Sequence, residues 1–351
     1  MELGYWLRIS NARHLSPFVY TRLLQHFGGP RAVCEAGAAE LAACGVKAEA
    51  LAELQQPDLA LLDSQHRWAQ QPGCCILTLA DERYPVLLKK IVDPPPVLFV
   101  RGDPAVLSRP QLAMVGSRNP SPGGLKAAAE LAAALAQAGL TITSGLAAGI
   151  DGASHRGALA AGGTTVAVLG SGLSRIYPAQ HQTLAAEIAE KGAVVSEFAL
   201  AIPPLAAHFP RRNRIISGLC SGVCVVEAAL RSGSLITAKL AAEQGREVFA
   251  VPGSIYNPLA RGCHLLIQEG AKLTTGPADI LTEFKQGAIE WCIIQLDSDC
   301  RQLLECVGFE ATTVDQLAQR TGSTAARVTG LLLELELKGY IHFAAGGYCR
   351  V

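Results

Sequence analysis

Three arginines, Arg211, Arg212 and Arg214, stand within four positions and enclose Asn213. Arginine suits phosphate because its planar guanidinium donates to two oxygens at once and keeps its charge. A solvated basic turn is the alternative interpretation. We favour a short, constrained element that presents guanidinium groups to several phosphates. Pro210 immediately precedes the cluster and restricts the backbone, and Ile215 and Ile216 follow it and are expected to be buried.

A glycine-bearing turn with a further arginine lies upstream, where the apolar run 112–115 ends. Gly116 allows a sharp turn, Ser117 can cap a helix or donate to a phosphate oxygen, and Arg118 offers another guanidinium. An ordinary strand–helix turn with a surface arginine would have the same sequence. The turn therefore supports a phosphate site only together with its neighbours.

A second glycine loop runs from Ser144 to Asp151, with Gly145 and Gly149 four positions apart. Such a loop can turn its N–H groups outward and bind an anion. Its spacing differs from the dinucleotide-binding and P-loop patterns. We expect Asp151 to cap the helix that follows. His155 is a candidate base, but no serine or cysteine nucleophile stands at a recognisable spacing, so we expect a binding protein and no enzyme.

A third loop, Ser232-Gly233-Ser234, lies between the predicted strand 223–226 and a helix. Its small hydroxyl residues allow a phosphate to approach the backbone closely. Glu227 is the nearby acid, and we expect it to orient an arginine. The loop is therefore a further candidate for phosphate binding.

The loops interrupt an alternation of short apolar strands with alanine- and leucine-rich helices. Nearly continuous apolar strands indicate a parallel sheet covered on both faces. The sequence therefore predicts an α/β fold, a Rossmann-like doubly wound parallel sheet with its glycine loops at one rim. The predicted strands cover residues 112–116, 140–143, 164–169, 193–196, 223–227 and 247–251, and the predicted helices include 126–138 and 151–161.

The segments on either side of this core predict two smaller domains. Residues 1–70 predict a small helical domain of the SAM or helix–hairpin–helix type, for which we favour a structural or docking role over DNA binding. The Rossmann-like domain is expected to cover residues 71–286. Residues 287–351 predict a winged-helix-like domain of three helices and a hairpin. The four N-terminal helices are predicted over 17–27, 31–35, 38–44 and 47–55, and two extended runs over 75–79 and 97–101.

The third predicted helix of the tail, 324–338, has few cations. It carries Arg327 and Lys338 beside Glu334 and Glu336. A helix that contacts DNA normally presents Arg, Lys, Asn or Gln to bases and phosphates. This helix is therefore better suited to contact another protein.

The 351 residues include 30 basic and 30 acidic side chains, but these charges are unevenly placed. Residues 109–285 hold 15 basic and 11 acidic side chains, whereas residues 286–351 hold 5 and 8. A local basic patch, more than the total charge, decides phosphate binding.

The sequence has no span long enough to cross a membrane and no signal-peptide pattern, so we expect a cytoplasmic protein without a membrane partner. The 11 cysteines lack metal or disulfide spacing, and we expect neither metal nor cofactor.

Taken together, the motifs resemble the DNA-processing protein A family (DprA, also called Smf). The matching positions follow one another from about Leu112 to Leu273 and include 115–118, 144–151, 167–170, 177–178, 209–214, 225–227, 232–237 and 251–253. The resemblance implies a homodimeric protein that binds and protects single-stranded DNA and loads the RecA recombinase during uptake of foreign DNA. It places the DNA-binding pocket on Gly116, Ser117, Arg118, Arg211, Arg212, Asn213 and Arg214, with the loop Ser144–Asp151 beside it.

We expect two or three phosphates to be held by Arg118, Arg212 and Arg214 and by loop N–H groups, with little recognition of bases. The logarithm of the affinity should then fall with the logarithm of salt concentration, by roughly 0.7 per phosphate contact. The family often has lysine and asparagine after Tyr177-Pro178, whereas this chain has Ala179-Gln-His181. A DNA contact from that segment would therefore depend on the histidine.

Two other functions remain open at this point. A phosphoribohydrolase-like Rossmann enzyme could use the same glycine loops for a single nucleotide, but that group carries Pro-Gly-Gly-x-Gly-Thr where this chain has 231–237. A protein adaptor without DNA contact would leave the arginine cluster unexplained.

Overall fold

A computed structural model describes residues 2–12, 14–284, 298–308, 311–337, 341–344 and 346–350. The chain divides into two compact units, residues 1–280 and residues 281–351. The predicted boundary between residues 286 and 287 lies outside the described residues.

Six helices form the N-terminal part of the first unit. Their buried face includes Ile9, Leu23, Val33, Leu41 and Leu54, which pack together as one apolar cluster. The helices are α1 (Glu2–Asn11), α2 (Pro17–Phe27), α3 (Pro30–Glu35), α4 (Ala38–Ala43), α5 (Ala48–Gln55) and α6 (Leu59–Ala69). α1 and α6 were not among the four helices predicted from the sequence.

The helical part packs against the sheet. Trp6 and Leu62 join a buried cluster with Ile76, Phe99 and Val194, which are sheet residues. The helices and the sheet therefore form one compact unit, in which α6 ends at Ala69 and the first strand begins at Cys74.

Nine strands form a single mixed sheet in the order β1-β2-β6-β5-β4-β3-β7-β8-β9. The strands from β3 onward pair in parallel, whereas β1 pairs with β2 and β2 with β6 in antiparallel fashion. The strands are β1 (Cys74–Thr78), β2 (Val97–Gly102), β3 (Gln111–Val115), β4 (Thr141–Ser144), β5 (Thr165–Val168), β6 (Ala193–Ser196), β7 (Gly222–Val225), β8 (Glu247–Ala250) and β9 (Lys272–Leu273).

Apolar side chains leave the strands on both faces of the sheet. Val166 and Val168 of β5 pack with one cluster, which also contains Leu219, and Ala167 packs with another, which contains Leu184. This alternation follows from the two-residue period of a strand. The α/β fold is confirmed. The helices are α7 (Val86–Lys89), α8 (Pro122–Gln137), α9 (Ile150–Ala160), α10 (Gln182–Lys191), α11 (His208–Leu219), α12 (Gly233–Glu243), α13 (Arg261–Gln268) and α14 (residues 277–284).

In the described part of the second unit from residue 298 onward, three helices are followed by a hairpin. They are α15 (Ser298–Cys306), α16 (Val314–Thr321), α17 (Ala325–Leu337), β10 (Ile341–Ala344) and β11 (Gly347–Arg350). Leu303, Leu317 and Leu332 form its buried core. Arg327 forms an ion pair with Asp299, so one of the two predicted cations of α17 is paired; Lys338 lies outside the described residues.

No helix in the described ranges is both long and apolar enough to cross a membrane. In the same ranges, no group of three or more His, Cys, Asp or Glu side chains is placed to hold a metal ion.

Candidate nucleic-acid interface

The order of the parallel strands reverses at β3. The strands that follow it in the chain, β4 to β6, lie on one side, and β7 to β9 lie on the other. Ligands of open α/β sheets bind at such a switch point, beyond the carboxyl ends of the strands. A cavity of about 680 Å³ opens there, lined by Val115, Gly116, Arg118, Ala147, Asp151, Tyr177, Pro204, Ala206, Phe209, Pro210, Arg212, Asn213, Ile216, Ser232, Gly233, Ser234, Ile236 and Thr237.

Two guanidinium groups face one aromatic ring in this cavity, which we name the rim cavity. The guanidinium carbon of Arg118 lies 5.3 Å from the centre of the Phe209 ring, and that of Arg212 lies 5.9 Å from it. Arg118 is exposed and, within the described residues, forms no ion pair. The cavity therefore combines positive charge with an aromatic surface, as proteins that bind single strands often do.

Arg212 is fixed beneath the cavity. Only 4% of its surface is exposed, and its Nη1 donates to the carbonyl oxygens of Gly145, at 2.8 Å, and of Val168. Burial lowers the pKa of Arg212 to about 10, although the carboxylate of Asp151 opposes this change. Because that pKa remains well above neutrality, Arg212 places a permanent charge at the base of the cavity.

Asp151 fills the space that we expected an anion to occupy. It is not the helix cap, because α9 is capped by Gly149 and Asp151 lies in the first turn of the helix. One carboxylate oxygen accepts hydrogen bonds from the N–H groups of Gly145, at 3.1 Å, and Ala147, at 3.3 Å. The prediction of an outward-facing anion nest is therefore wrong for these two N–H groups. Burial raises the pKa of Asp151, and Arg212 counteracts the shift.

The arginine cluster lies in helix α11, which turns its members in different directions. Residues three apart share one face of a helix, so Arg211 and Arg214 both reach Glu197, with nitrogen-to-Oε2 distances of 3.0 and 2.7 Å. Nε of Arg214 also lies 2.8 Å from Asp93. Although burial opposes the effect, the charges of Glu197 and Asp93 raise the pKa of Arg214.

The structure thus separates the three arginines. Arg212 lines the rim cavity, whereas Arg214 is 5% exposed and engaged in buried ion pairs. The prediction that Arg214 binds a phosphate is corrected accordingly. Arg211 is more exposed, but its guanidinium lies against the Phe198 ring at 5.4 Å and pairs with Glu197, away from the cavity lining.

The third loop does reach the rim cavity. Ser232, Gly233 and Ser234 line it, and Gly233 begins helix α12. The positive end of the helix dipole therefore lies at the cavity. The N–H of Ser234 donates to Ser232 Oγ at 3.3 Å, and Asn213, also in the lining, donates to the Gly233 carbonyl at 3.4 Å.

Glu227 stabilises a turn and does not orient an arginine. Its carboxylate accepts hydrogen bonds from the N–H of Ser121, at 2.8 Å, and from the Ser121 hydroxyl, at 2.6 Å. Ser121 caps helix α8. The role that we predicted for Glu227 is therefore wrong, because its nearest donors belong to the α8 terminus.

Gly116 and Ser117 shape the first turn. A β-carbon on Gly116 would lie 2.7 Å from the side chain of Ile150 and 2.9 Å from the Glu227 carbonyl oxygen. The N–H of Ser117 donates to that same oxygen at 2.7 Å. Close packing therefore explains why position 116 is a glycine. Within this turn, Gly116 and Arg118 line the rim cavity.

Ser144 and Gly149 lie behind the cavity. The buried hydroxyl of Ser144 donates to the Met114 carbonyl at 2.6 Å. Gly149 has a φ of 80°, and a β-carbon there would lie 2.4 Å from the Ser117 carbonyl oxygen. These two residues support the loops, and their direct contact with a phosphate stays a prediction.

Two aromatic residues of the site were missed at the sequence level. Tyr177, 48% exposed, and Phe209 both line the rim cavity, with ring centres 5.7 Å apart. Each stood at the edge of a recognised motif. The aromatic content of 5% disfavours a continuous stacking surface but agrees with a small site, which requires only one or two rings.

Two histidines are buried and structural. Nδ1 of His155 lies 2.7 Å from Thr165 Oγ1, and burial lowers the pKa of His155 to about 3. His155 is therefore neutral near pH 7. Nδ1 of His181 lies 2.9 Å from the Leu146 carbonyl oxygen, and 3% of the residue is exposed. His181 is therefore buried away from the surface where a DNA contact from its segment would form.

Replacement of Gly145 by alanine is expected to displace Arg212. The new β-carbon would lie 2.6 to 2.8 Å from three guanidinium atoms of Arg212, which cannot move without breaking its carbonyl contacts. We expect a loss of about 1–3 kcal/mol in the free energy of unfolding, measured by denaturant titration. Gly123→Ala is the control, because its nearest atom lies 3.7 Å away. Equal stability of the two variants would contradict the packing argument.

These features define a Rossmann-like α/β protein with a basic cavity at the switch point and a C-terminal winged-helix domain. The sequence matches the family described as DNA recombination-mediator protein A over residues 75–285 and the DprA winged helix domain over residues 293–347. The chain belongs to the DNA recombination-mediator protein A (DprA/Smf) family, which confirms the resemblance.

Curated relatives and solved structures extend this match. The chain is 47% identical to protein Smf of Escherichia coli over 83% of this chain and 81% of that protein. It resembles the X-ray structure of DNA processing protein A from Streptococcus pneumoniae, with a TM-score of 0.71, 40% identity and coverage of 80% and 96%. A structure of DNA processing protein A from Helicobacter pylori, described for its single-stranded DNA binding mode, matches with a TM-score of 0.55, 28% identity and coverage of 60% and 96%.

Proposed function

We propose that this protein binds single-stranded DNA in the rim cavity, through phosphates at Arg118 and the α12 terminus and through bases at Tyr177 and Phe209. The observation that carries the proposal is the pair of guanidinium groups around the Phe209 ring at the switch point. The Helicobacter pylori relative described as binding single-stranded DNA supports the same ligand.

The geometry favours a flexible strand over a duplex. The cavity is a concave site with an aromatic ring inside it, and a base can enter such a site only when it is unstacked and unpaired. Fixed charge at Arg212 attracts the backbone, and the exposed Arg118 side chain can adjust to a phosphate oxygen. Neither contact distinguishes one base from another, so we expect little sequence preference.

The test is fluorescence anisotropy with a single-stranded and a double-stranded oligonucleotide of the same sequence. We expect tighter binding of the single strand and, for Tyr177→Ala, a loss of about 1–3 kcal/mol of binding free energy for one lost stacking contact. Tyr177→Phe, which keeps the ring, should bind like the wild type. Equal affinity for both DNA forms, or equal affinity of the two variants, would remove the proposal.

We infer in addition that the protein forms homodimers, acts in the cytoplasm and delivers the bound strand to RecA. The family description as a recombination mediator supports the last of these. Electron microscopy of RecA on single-stranded DNA coated with single-strand-binding protein provides the test. Filaments should appear sooner with this protein present, and an unchanged rate would exclude RecA loading.

A further inference from the structure

A second cavity, of about 460 Å³, lies beside helix α10. We name it the α10 cavity. Two arginines and no acidic residue contribute to its described lining, which consists of Arg101, Leu173, Ser174, Arg175, Ile176, Ala179, Gln182, Ala185, Ala186 and Val194. Its size falls in the range of pockets that hold small ligands.

The two cavities lie on either side of one loop. Tyr177 lines the rim cavity, whereas Arg175, Ile176 and Ala179 line the α10 cavity. Neighbouring residues of a single segment thus face two sites. A strand that leaves the first cavity past the Tyr177 ring would meet the second.

Hydrogen bonds fix the backbone that carries Arg175. Its N–H donates to the Gly172 carbonyl at 2.9 Å, and its own carbonyl accepts from the Ser171 hydroxyl at 2.6 Å. The N–H of Ser174 donates to the Leu200 carbonyl at 3.0 Å. The guanidinium of Arg175 therefore extends from a pre-ordered loop, which lowers the entropic cost of binding.

Both arginines of the α10 cavity are available to a ligand. Arg101 and Arg175 are exposed, and neither is in an ion pair within the part of the chain that the structure describes. Arg101 is brought there by strand pairing, because it lies opposite Val194 of the lining. Gln182, which also lines the cavity, begins helix α10, so the positive end of that helix dipole adds to the potential there.

We propose that the α10 cavity binds a second phosphate-bearing unit of the DNA strand held in the rim cavity. Arg101 and Arg175 donate to the phosphate oxygens, and Leu173 and Ile176 provide an apolar surface for the sugar or base. This assignment rests on the proposed function. The same chemistry would also accept a free nucleotide, and the experiment below distinguishes the two sources.

The test compares Arg101→Glu/Arg175→Glu with Arg109→Glu/Lys239→Glu in the full chain. All four residues are exposed, and the control pair lines neither cavity but changes the net charge equally. Anisotropy is measured with oligothymidylates of about 4 and about 16 nucleotides, the range of lengths that single-strand-binding sites cover. The salt dependence is measured for the longer one.

We expect the α10-cavity variant to lose affinity for the long strand by about tenfold or more relative to the control, with a log–log salt slope smaller by about 1.4 for two lost contacts. Binding of the short strand should match the control, which also shows that the variant is folded. Long-strand binding equal to that of the control would overturn the proposal while leaving the proposed function intact. Failure of the wild type to bind either strand would overturn the proposed function itself.

A competition experiment separates the strand from a free nucleotide. Thymidine monophosphate at millimolar concentration is titrated against the wild type, with and without saturating long strand. Displacement of the nucleotide by the strand supports the assignment. Nucleotide binding that Arg101→Glu/Arg175→Glu abolishes but the strand does not compete with would assign the α10 cavity to a free nucleotide instead.

Discussion

Arg118→Glu is expected to lower the affinity for single-stranded DNA by about 10- to 100-fold. A hydrogen bond to a charged group contributes about 1.5–3 kcal/mol, and the substituted carboxylate repels the phosphates in a cavity whose second guanidinium, that of Arg212, is held in place by carbonyl oxygens. The log–log salt slope should become smaller by about 0.7, because one phosphate contact is lost. Fluorescence anisotropy at several salt concentrations measures both quantities.

The fold should tolerate this change. Arg118 is exposed and lies against the face of the Phe209 ring, so the unfolding temperature should stay near that of the wild type. Arg109→Glu is the matched control, since Arg109 is also exposed but precedes β3 at the opposite edge of the sheet. If both variants lost affinity equally, general charge and not the rim cavity would hold the strand.

The two arginines of the rim cavity differ in how tightly the protein holds them. Arg212 is held by two carbonyl oxygens before any ligand arrives, so its charge requires no ordering on binding. Arg118 keeps its freedom and can follow the irregular backbone of a single strand. Asp151 balances the buried charge and closes the glycine loop. On this proposal the fixed charge of Arg212 attracts the strand, and the exposed Arg118 side chain makes the direct phosphate contact.

Much of the fold could be predicted because burial leaves a strong local pattern. Strand β6 has the predicted bounds, 193–196, since all four of its residues are buried and lie between a helix and a loop. Helix α1 was missed although Leu3, Trp6 and Leu7 have the i, i+3, i+4 spacing of an amphipathic helix. The antiparallel pairing of β1 with β2, and of β2 with β6, joins segments that are distant in the sequence. A local sequence pattern does not specify such pairs.

The candidate site was predicted less completely, and the reason lies in helix geometry and in competition for hydrogen bonds. The sequence indicated an arginine cluster, but the rotation of α11 decides that Arg212 faces the cavity and Arg214 faces Glu197. Glu197 stands 17 positions away from Arg214, and no spacing rule connects them. Similarly, the glycine loop was recognised as a source of N–H groups, but its own Asp151 accepts two of them.

Arg214→Met is expected to destabilise the protein by about 3–5 kcal/mol, because it leaves the carboxylate of Glu197 buried with the outer Arg211 as its remaining ion-pair partner among the described residues. The side chains of Arg214 and Glu197 are 6% and 2% exposed, and their charged atoms lie 2.7 Å apart. Urea denaturation followed by circular dichroism measures the change. At temperatures where the variant remains folded, its affinity for single-stranded DNA should stay close to that of the wild type.

Two further variants distinguish a structural ion pair from a DNA ligand. Arg211→Met removes a partner of the same Glu197 oxygen, but this side chain is 44% exposed, so the loss should stay below about 1 kcal/mol. Arg214→Met/Glu197→Gln should recover part of the stability lost in the single variant, since the uncompensated charge is gone. The opposite result would be an Arg214→Met protein that is as stable as the wild type but binds DNA as weakly as Arg118→Glu. That result would identify Arg214 as a DNA contact. In that case the buried ion pair with Glu197 could not be the state that receives the strand, and helix α11 would have to rotate or shift on binding to bring Arg214 into the rim cavity.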